Sequence, residues 1–476
     1  MIDGLKPYPK MKDSGISELG TIPDHWTVSA LGRAGELFKG RGASKEDEVS
    51  SGVPCIRYGD LYTRHEFFIR HSRAFVTTER AADYAPVRYG DVLFAASGET
   101  IDDIGRSAVN LIDGDVRCGG DVIIFRAARE ALPEFLGYAC DAPSSKWQKA
   151  RMGRGFTVVH IYGSALKNLA IVFPPLAEQR TIVRFLDHAD ARIRRYIAGK
   201  QKLIKLLEEE KQAIVHRAVT RGLDRNARLK PSGAEWLGDV PEHWEVKRGK
   251  YFFREVDERS VDGNEELMSV SHKTGVTSRS EKNITMFMAE SYAGHKLCRP
   301  GDVVVNTMWA WMAAIGVTKK LGIVSPSYGV YRPLKSGDFQ PTFLDLLLRT
   351  GAYRNEYKRR SRGITTSRLR LYPDDFLRIL FVRPPFGEQD DIVLAIQDET
   401  AELQRAVETA NREIALLREY RTRLIADVVT GKIDVREAAA KLPEIEPDAE
   451  PLDEIEDLPQ DDDTADDEVL EAEDAA

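Results

Sequence analysis

Residues 174–220 read PPLAEQRTIVRFLDHADARIRRYIAGKQKLIKLLEEEKQAIVHRAVT: two prolines, a Glu-Gln pair, then a run to Thr220 with no further proline and one glycine, Gly199. Proline opens or precedes a helix but does not continue one, so the double proline marks a strand or loop handing over to a helix. From Ile182 the positions Ile182, Leu186, Ala189, Ile193, Tyr196, Lys200, Leu203, Leu207, Glu210 and Ile214 step alternately by four and three, and eight of the ten are apolar. That spacing is a coiled-coil seam, narrower than the apolar face of a globular helix. The same pattern returns 210 residues later. Residues 384–430 read PPFGEQDDIVLAIQDETAELQRAVETANREIALLREYRTRLIADVVT, and the matching seam (Ile392, Ile396, Glu399, Leu403, Ala406, Ala410, Glu413, Leu417, Tyr420, Leu424) is again apolar at eight of ten. Two long helices at a fixed offset, each behind Pro-Pro-x-x-Glu-Gln, are a duplicated architecture.

Working outward, the duplication extends to the start of each module. SGISELGTIPDHWTV (14–28) and SGAEWLGDVPEHWEV (232–246) agree at eight of fifteen positions. Each reads as a turn feeding a first strand, with Trp26 and Trp244 packed inward. His25 and His243 have no second ligand at metal spacing and are assigned structural roles. The bodies, 30–173 and 248–383, read as short strands among glycine turns with one helical stretch late in each. Tyr89-Gly-Asp-Val92 aligns with Pro300-Gly-Asp-Val303, and Phe135-Leu136 with Phe343-Leu344. Between these marks the copies differ: AASGETIDDIGRSAVN stands where the second copy has NTMWAWMAAIGVTKKLGIVSPSYGVY. A common scaffold presenting two surfaces accounts for this, as does drift after duplication.

The segment before each long helix carries the strongest chemical signal. KWQKARMGRGFT (146–157) and RNEYKRRSRGIT (354–365) place Lys146 with Arg354, Arg151 with Arg359, Arg154 with Arg362, and Thr157 with Thr365. The second copy adds Arg360, Arg368 and Arg370, giving seven basic residues against Glu356 between 354 and 370. Cations and hydroxyls on a glycine-hinged loop suit phosphates and guanine edges. A solvated basic face is the alternative, and the matched recurrence favours nucleic acid.

Bulk properties agree. The 476 residues, 42% apolar and 30% charged, suffice for two or three domains. The net charge of −8 conceals an asymmetry: residues 443–476 hold 17 acids and no Lys or Arg, leaving +9 on residues 1–442. A basic body with an acidic, disorder-prone tail points to a polyanion partner. Four scattered cysteines, no signal-peptide core and no apolar window of spanning length predict a cytoplasmic protein without a membrane segment. Phosphate-loop, nucleophile-elbow, zinc-pair and base-gripping Asn/Asp-Pro-Pro-Tyr/Phe motifs are all missing from the sequence. Ser97-Gly-Glu99 has no evident base beside it and reads as a turn.

The paired PPLAEQ and PPFGEQ helices, the RGFT and RGIT segments and the two SG-x-x-x-LG-x-[IV]-P-[DE]-HW starts resemble the specificity subunits of type I restriction-modification systems, from about residue 12 to 442. The resemblance implies an α+β chain of two similar mixed α/β target-recognition domains, each followed by a long helix, the two helices packed as an antiparallel coiled coil. Its boundaries would be 1–175 and 223–385 for the domains, 176–222 and 386–442 for the spacer helices and extension, and 443–476 for the tail. It further implies that each domain reads half of a bipartite double-stranded DNA target, while the helices set the gap and dock methyltransferases on their outer faces. The family's subunit is non-catalytic and binds no cofactor. Two methyltransferase subunits bring S-adenosylmethionine, and motor-nuclease restriction subunits cut. Lys200, Glu210, Glu399 and Glu413 are expected to pair across the seam. A coiled-coil scaffold without a DNA role and a self-contained modification enzyme are the alternatives.

Overall fold

The computed structural model describes residues 5–42, 47–128, 130–155, 158–281, 291–363 and 369–443. The chain divides into two units, one holding the residues up to Gly199 together with the stretch from Arg412, the other holding Lys200–Asn411.

In the first unit a five-stranded sheet runs in the order Gly35–Lys39, Val122–Ala127, Val92–Ala95, Ser107–Asn110, Phe67–Ile69. All its pairings are antiparallel except the last. The apolar runs VLFA and VIIF form its buried centre. Sheet-forming β-branched and aromatic side chains on strands with both faces covered give such continuous runs. A smaller four-stranded sheet (Phe75–Val76, Val53–Ile56, Val116–Cys118, Ala85–Val87) lies within the same unit. Two helices then follow where one was expected, α1 (Pro133–Asp141) and α2 (Pro143–Met152), each opened by a proline at its first position. Strand Ala170–Phe173 pairs antiparallel with Thr27–Ala30 and delivers the chain to α3 (Leu176–Arg221).

The second unit repeats the core. Its sheet runs Phe253–Glu255, Gly329–Pro333, Val303–Val305, Ile315–Val317, all antiparallel. Helices α4 (Pro341–Leu348) and α5 (Gly351–Arg360) follow, then strand Leu380–Arg383 against Glu245–Arg248, then α6 (Phe386–Val429). One ion pair marks the equivalence. Arg126 donates to Asp91 through Nε (2.9 Å) and Nη2 (2.6 Å), and Arg332 to Asp302 through the same nitrogens (2.8 Å each). Both aspartates also accept the amide of the residue three before them, closing the Gly-Asp-Val turn.

The fifth strand of the first sheet has a local cause. Gly137 on α1 lies so close to it that a Cβ there would sit 2.6 Å from the Phe67 carbonyl oxygen. The second copy has Asp345 at the matching place, and its carboxylate accepts the Val317 amide at 2.9 Å. A side chain thus satisfies an edge that the first module covers with backbone.

The Pro-Pro-x-x-Glu-Gln motif fastens each module to its helix. Gln179, 1% exposed, accepts from the Leu132 amide (2.8 Å) and donates to the Pro174 carbonyl (2.9 Å). Gln389, fully buried, accepts from the Gln340 amide (2.8 Å) and donates to the Pro384 (2.9 Å) and Asp338 (3.1 Å) carbonyls. Glu178 meets His25 Nε2 at 2.8 Å and also accepts the Tyr8 hydroxyl. Glu388 meets His243 Nε2 at 2.7 Å and accepts from Trp244 Nε1 at 3.0 Å. The histidines are therefore structural, and Trp26 and Trp244 are fully buried. Gly222 (φ +73°) and Gly431 (φ +76°) follow the ends of the long helices in the left-handed conformation that glycine tolerates.

The seam differs in register from its expected course. On α3 the inner row continues from Ile193 to Ile197 and later Val215, while Tyr196, Leu203 and Glu210 face outward. On α6 the covered row is Thr400, Leu403, Val407, Ala410, Ile414, Leu417, Arg421, Leu424 and Val428, so Glu399 and Ala406 lie outside it. Taking the step of four before the step of three, instead of after it, shifts one row by a residue and leaves the other unchanged. Packing within each unit is direct. In the first, Arg421 bonds Asp190 and Glu66. In the second, Lys211 donates to Gln404 (2.6 Å) and Arg217 to Glu399 (2.8 Å), numbers rising on one helix as they fall on the other. Among the residues expected to pair across the seam, Glu399 meets Arg217 at the exposed rim.

Candidate nucleic-acid interface

The basic segments are not glycine-hinged loops throughout. Lys146 and Arg151 lie on α2; Arg354, Arg359 and Arg360 lie on α5. Beyond each helix the chain is pinched by a backbone bridge, between Arg154 and His160 in the first module and between Arg362 and Arg370 in the second. Thr157, Thr365 and Arg368 lie outside the described residues.

Several of these cations are already committed. Glu356, 1% exposed, accepts Arg359 through both carboxylate oxygens (2.7 and 2.8 Å) and Arg360 as well. Burial opposes its charge, yet the two guanidinium groups hold the carboxyl below its ordinary range. Lys358, Arg359 and Arg360 also occupy the last turn of α5, where cations favour the helix dipole. Arg362 reaches Asp375 at 2.8 Å with its side chain still 65% exposed, Arg151 pairs with Glu18, and Lys146 lies 3.3 Å from Asp141. Arg154 and Arg354 are exposed and form no ion pair among the described residues. Arg370 places a guanidinium nitrogen 3.4 Å from the Met308 sulfur.

The sequence hides a buried cation between these exposed ones. Lys149 is completely buried and donates to the carbonyls of Gly105 (2.7 Å) and Cys140 (2.9 Å) and to Asp141 (3.2 Å). Burial pushes its ammonium group down, with Asp141 opposing. In the second module Tyr357 takes over, its hydroxyl donating to the Leu348 carbonyl at 2.9 Å.

In both modules the pinched loop is zipped onto the turn leaving a central strand. Ile161 donates its amide to the Ala96 carbonyl and Leu371 donates to that of Thr307, both at 2.9 Å. Ser97 was expected to lack a base, but its hydroxyl lies 3.0 Å from His160 Nδ1. The pair joins the short strands Ser97–Gly98 and Val159–His160, and Ser97 is 9% exposed, so its work here is to hold the loop. Sequence reading also passed over Tyr162 and Tyr372. Both are exposed, each two residues past the bridge, and the matched spacing His-Ile-Tyr and Arg-Leu-Tyr was the available signal. Beside the second lies an open pocket of about 640 Å³ lined by Glu255, Arg362, Tyr372, Asp374, Asp375 and Arg378.

Among the described residues no group of three or more His, Cys, Asp or Glu could hold a metal ion, and no helix is long and apolar enough to cross a membrane. The four cysteines are free and buried; burial pushes Cys118 and Cys140 up to about 12 and Cys55 and Cys298 up to about 11. The arrangement thus offers exposed cations, tyrosines and a zipped turn at the end of a central strand in each sheet.

Residues 23–206 match the type I restriction modification DNA specificity domain. The type I restriction enzyme EcoKI specificity subunit of Escherichia coli K12 is 19% identical over 436 residues, 87% of this chain and 90% of that protein. Two Methanocaldococcus jannaschii proteins, carrying the names of the MjaX and MjaVIII type I restriction enzyme specificity subunits, are 26% and 28% identical over 248 and 127 residues. Those matches cover 51% and 25% of this chain and span only 56% and 28% of the two proteins' own lengths. In fold, a chain from the structural study of complex assembly and conformational transition of the type I R-M system superposes with a TM-score of 0.59 at 18% identity, over 86% of this chain and 98% of that one. Residues 23–206 thus carry a type I restriction modification DNA specificity domain, and the chain as a whole is similar to type I restriction enzyme specificity subunits in sequence and fold.

Proposed function

We propose that the chain is the non-catalytic subunit that gives a type I restriction-modification complex its DNA sequence specificity, each module reading one half of a bipartite target. The observation that carries this reading is the repeated unit itself: a sheet, a helix pair ending in a zipped basic loop, and a Glu-Gln fastening to a long helix, present twice with different turns at the same place. Two half-sites call for two such heads. The long helices, at 46 and 44 residues, are each roughly 65–70 Å long. As an antiparallel coiled coil they would fix a gap of about two duplex turns and present outer faces to two methyltransferase subunits. In this reading S-adenosylmethionine belongs to the methyltransferases, cleavage to motor-nuclease subunits, and the assembly to the cytoplasm.

The test is to map modified adenines across the host genome with and without this gene, and to measure mobility shifts of a duplex carrying the mapped site by the chain with its methyltransferase. A bipartite motif lost on deletion supports the reading. No retardation of any fragment would favour a scaffold without a DNA role, and methyl transfer by the isolated chain would make it an enzyme.

A further inference from the structure

The two modules place topologically equivalent turns at the end of a central strand, but with opposed chemistry. In the first, residues 97–106 carry Glu99, Asp102 and Asp103 and no aromatic ring. In the second, the turn between strands Val303–Val305 and Ile315–Val317 carries Met308, Trp309 and Trp311. The two indoles stack with centroids 6.0 Å apart at 22°, and both are partly buried. Their platform is fixed from below and behind. Ala310 is fully buried in the module core, and Ala313 closes the turn in the left-handed conformation (φ +70°), which a non-glycine residue adopts only where its surroundings impose it. The turn is also tied to the basic loop, through the Leu371 amide on the Thr307 carbonyl and Arg370 on the Met308 sulfur.

We propose, building on the specificity-subunit reading, that this tryptophan turn is the base-reading element of the second module. Its indoles meet apolar base edges, the thymine methyl above all, while Arg362 and the neighbouring cations hold the backbone. Large rigid rings beside a phosphate-binding loop fit a duplex groove, where apolar contact distinguishes thymine and cations supply sequence-independent attraction. A turn that differs between modules of one scaffold is where two different half-sites must be told apart.

The experiment uses the full chain with its methyltransferase and two duplexes, one carrying the mapped bipartite site and one with the second half-site replaced. Trp309→Ala and Trp311→Ala are each expected to weaken binding to the intact site by roughly ten- to a hundredfold. Binding to the replaced duplex should stay as it was, and so should the slope of log affinity against log salt, since no phosphate contact is removed. Trp309→Phe, which keeps a ring and the fold, should still narrow the ratio between the duplexes. Unchanged affinity for the intact site, an equal loss on both duplexes, or a Trp309→Phe ratio identical to wild type would overturn the proposal. Failure of the wild-type complex to bind the intact duplex would instead overturn the specificity-subunit reading.

Discussion

Replacing Gln179 or Gln389 by alanine removes an amide that is 1% or 0% exposed, so water cannot take its place without opening the joint between module and helix. Gln179→Ala strands the Leu132 amide and the Pro174 carbonyl; Gln389→Ala strands the Gln340 amide and the carbonyls of Pro384 and Asp338. A buried group left unpaired costs about 1–3 kcal/mol. With partial relaxation each substitution should cost about 2–4 kcal/mol. For units of this size that corresponds to a Tm lower by roughly 5–15 °C. Because the two glutamines sit in different units, each variant should weaken one unit and spare the other. Calorimetry reads the overall loss, and hydrogen exchange reads the location: the Leu132 amide should lose protection in one variant and the Gln340 amide in the other. Substitution by glutamate is not a rescue, since it keeps the acceptor but loses the donated bonds and buries a charge. Melting within about a degree of wild type in both alanine variants, with both amides still protected, would refute the argument that these side chains fasten the modules.

Arg354→Ala and Arg362→Ala should each reduce the salt slope of DNA binding by about 0.9, measured by titration of the complex. Arg359 and Arg360 are poor probes of the same point, because removing both leaves the buried Glu356 uncompensated; fluorescence melting should show their double alanine variant destabilised where Arg354→Ala is not. Lys149→Met should cost the first module about 3 kcal/mol in denaturant unfolding by removing the fully buried partner of Asp141, which then keeps only the partly exposed Lys146 and the Ser107 amide; Asp141→Asn in the same chain should partly restore the loss. Burial disfavours a charged Glu66, but Arg421 and Arg194 hold its carboxyl below the ordinary range. Its folded pKa is therefore below its unfolded value of about 4.3, and its stabilisation is present above that pH and lost as pH falls through the folded value. Arg421→Gln should lower stability at pH 7 and flatten the acid loss below about pH 4.3 in a pH series of unfolding curves.

What was legible in the sequence was whatever the duplication wrote twice. Glu-Gln behind Pro-Pro and His-Trp behind Pro-acid recur because each touches the other: Glu178 with His25, Glu388 with His243 and Trp244. A contact repeated in two copies leaves a repeated pair of words. The seam was legible as a period but not as a phase, since taking the step of four before the step of three at Ile193–Ile197 moves every later position of one row, and apolar Tyr196 and Leu203 score equally well on either side. The second helix of each module was hidden for a related reason: α2 and α5 carry so few apolar residues that nothing in their pattern asks for burial, and Lys149 and Tyr357 reach inward as polar groups satisfied by carbonyls.

The candidate interface obeys the opposite rule, and this decides how its charges should be weighed. Counting cations between 354 and 370 treats them alike, but Glu356 lies one helical turn from Arg359 and Arg360 and is 1% exposed, so two of the seven are structural counter-ions before any DNA arrives. Of the exposed remainder, Arg354 and Arg362 occupy positions matched by Lys146 and Arg154 in the other copy, as Tyr372 is matched by Tyr162. Under the proposed reading, features common to both modules suit what two half-sites would share, the phosphodiester backbone. Features confined to one module, the tryptophan turn above all, suit what differs between them, the base sequence. Specificity therefore has to be sought where the duplication fails to repeat itself, which is where pattern matching within one chain has nothing to align.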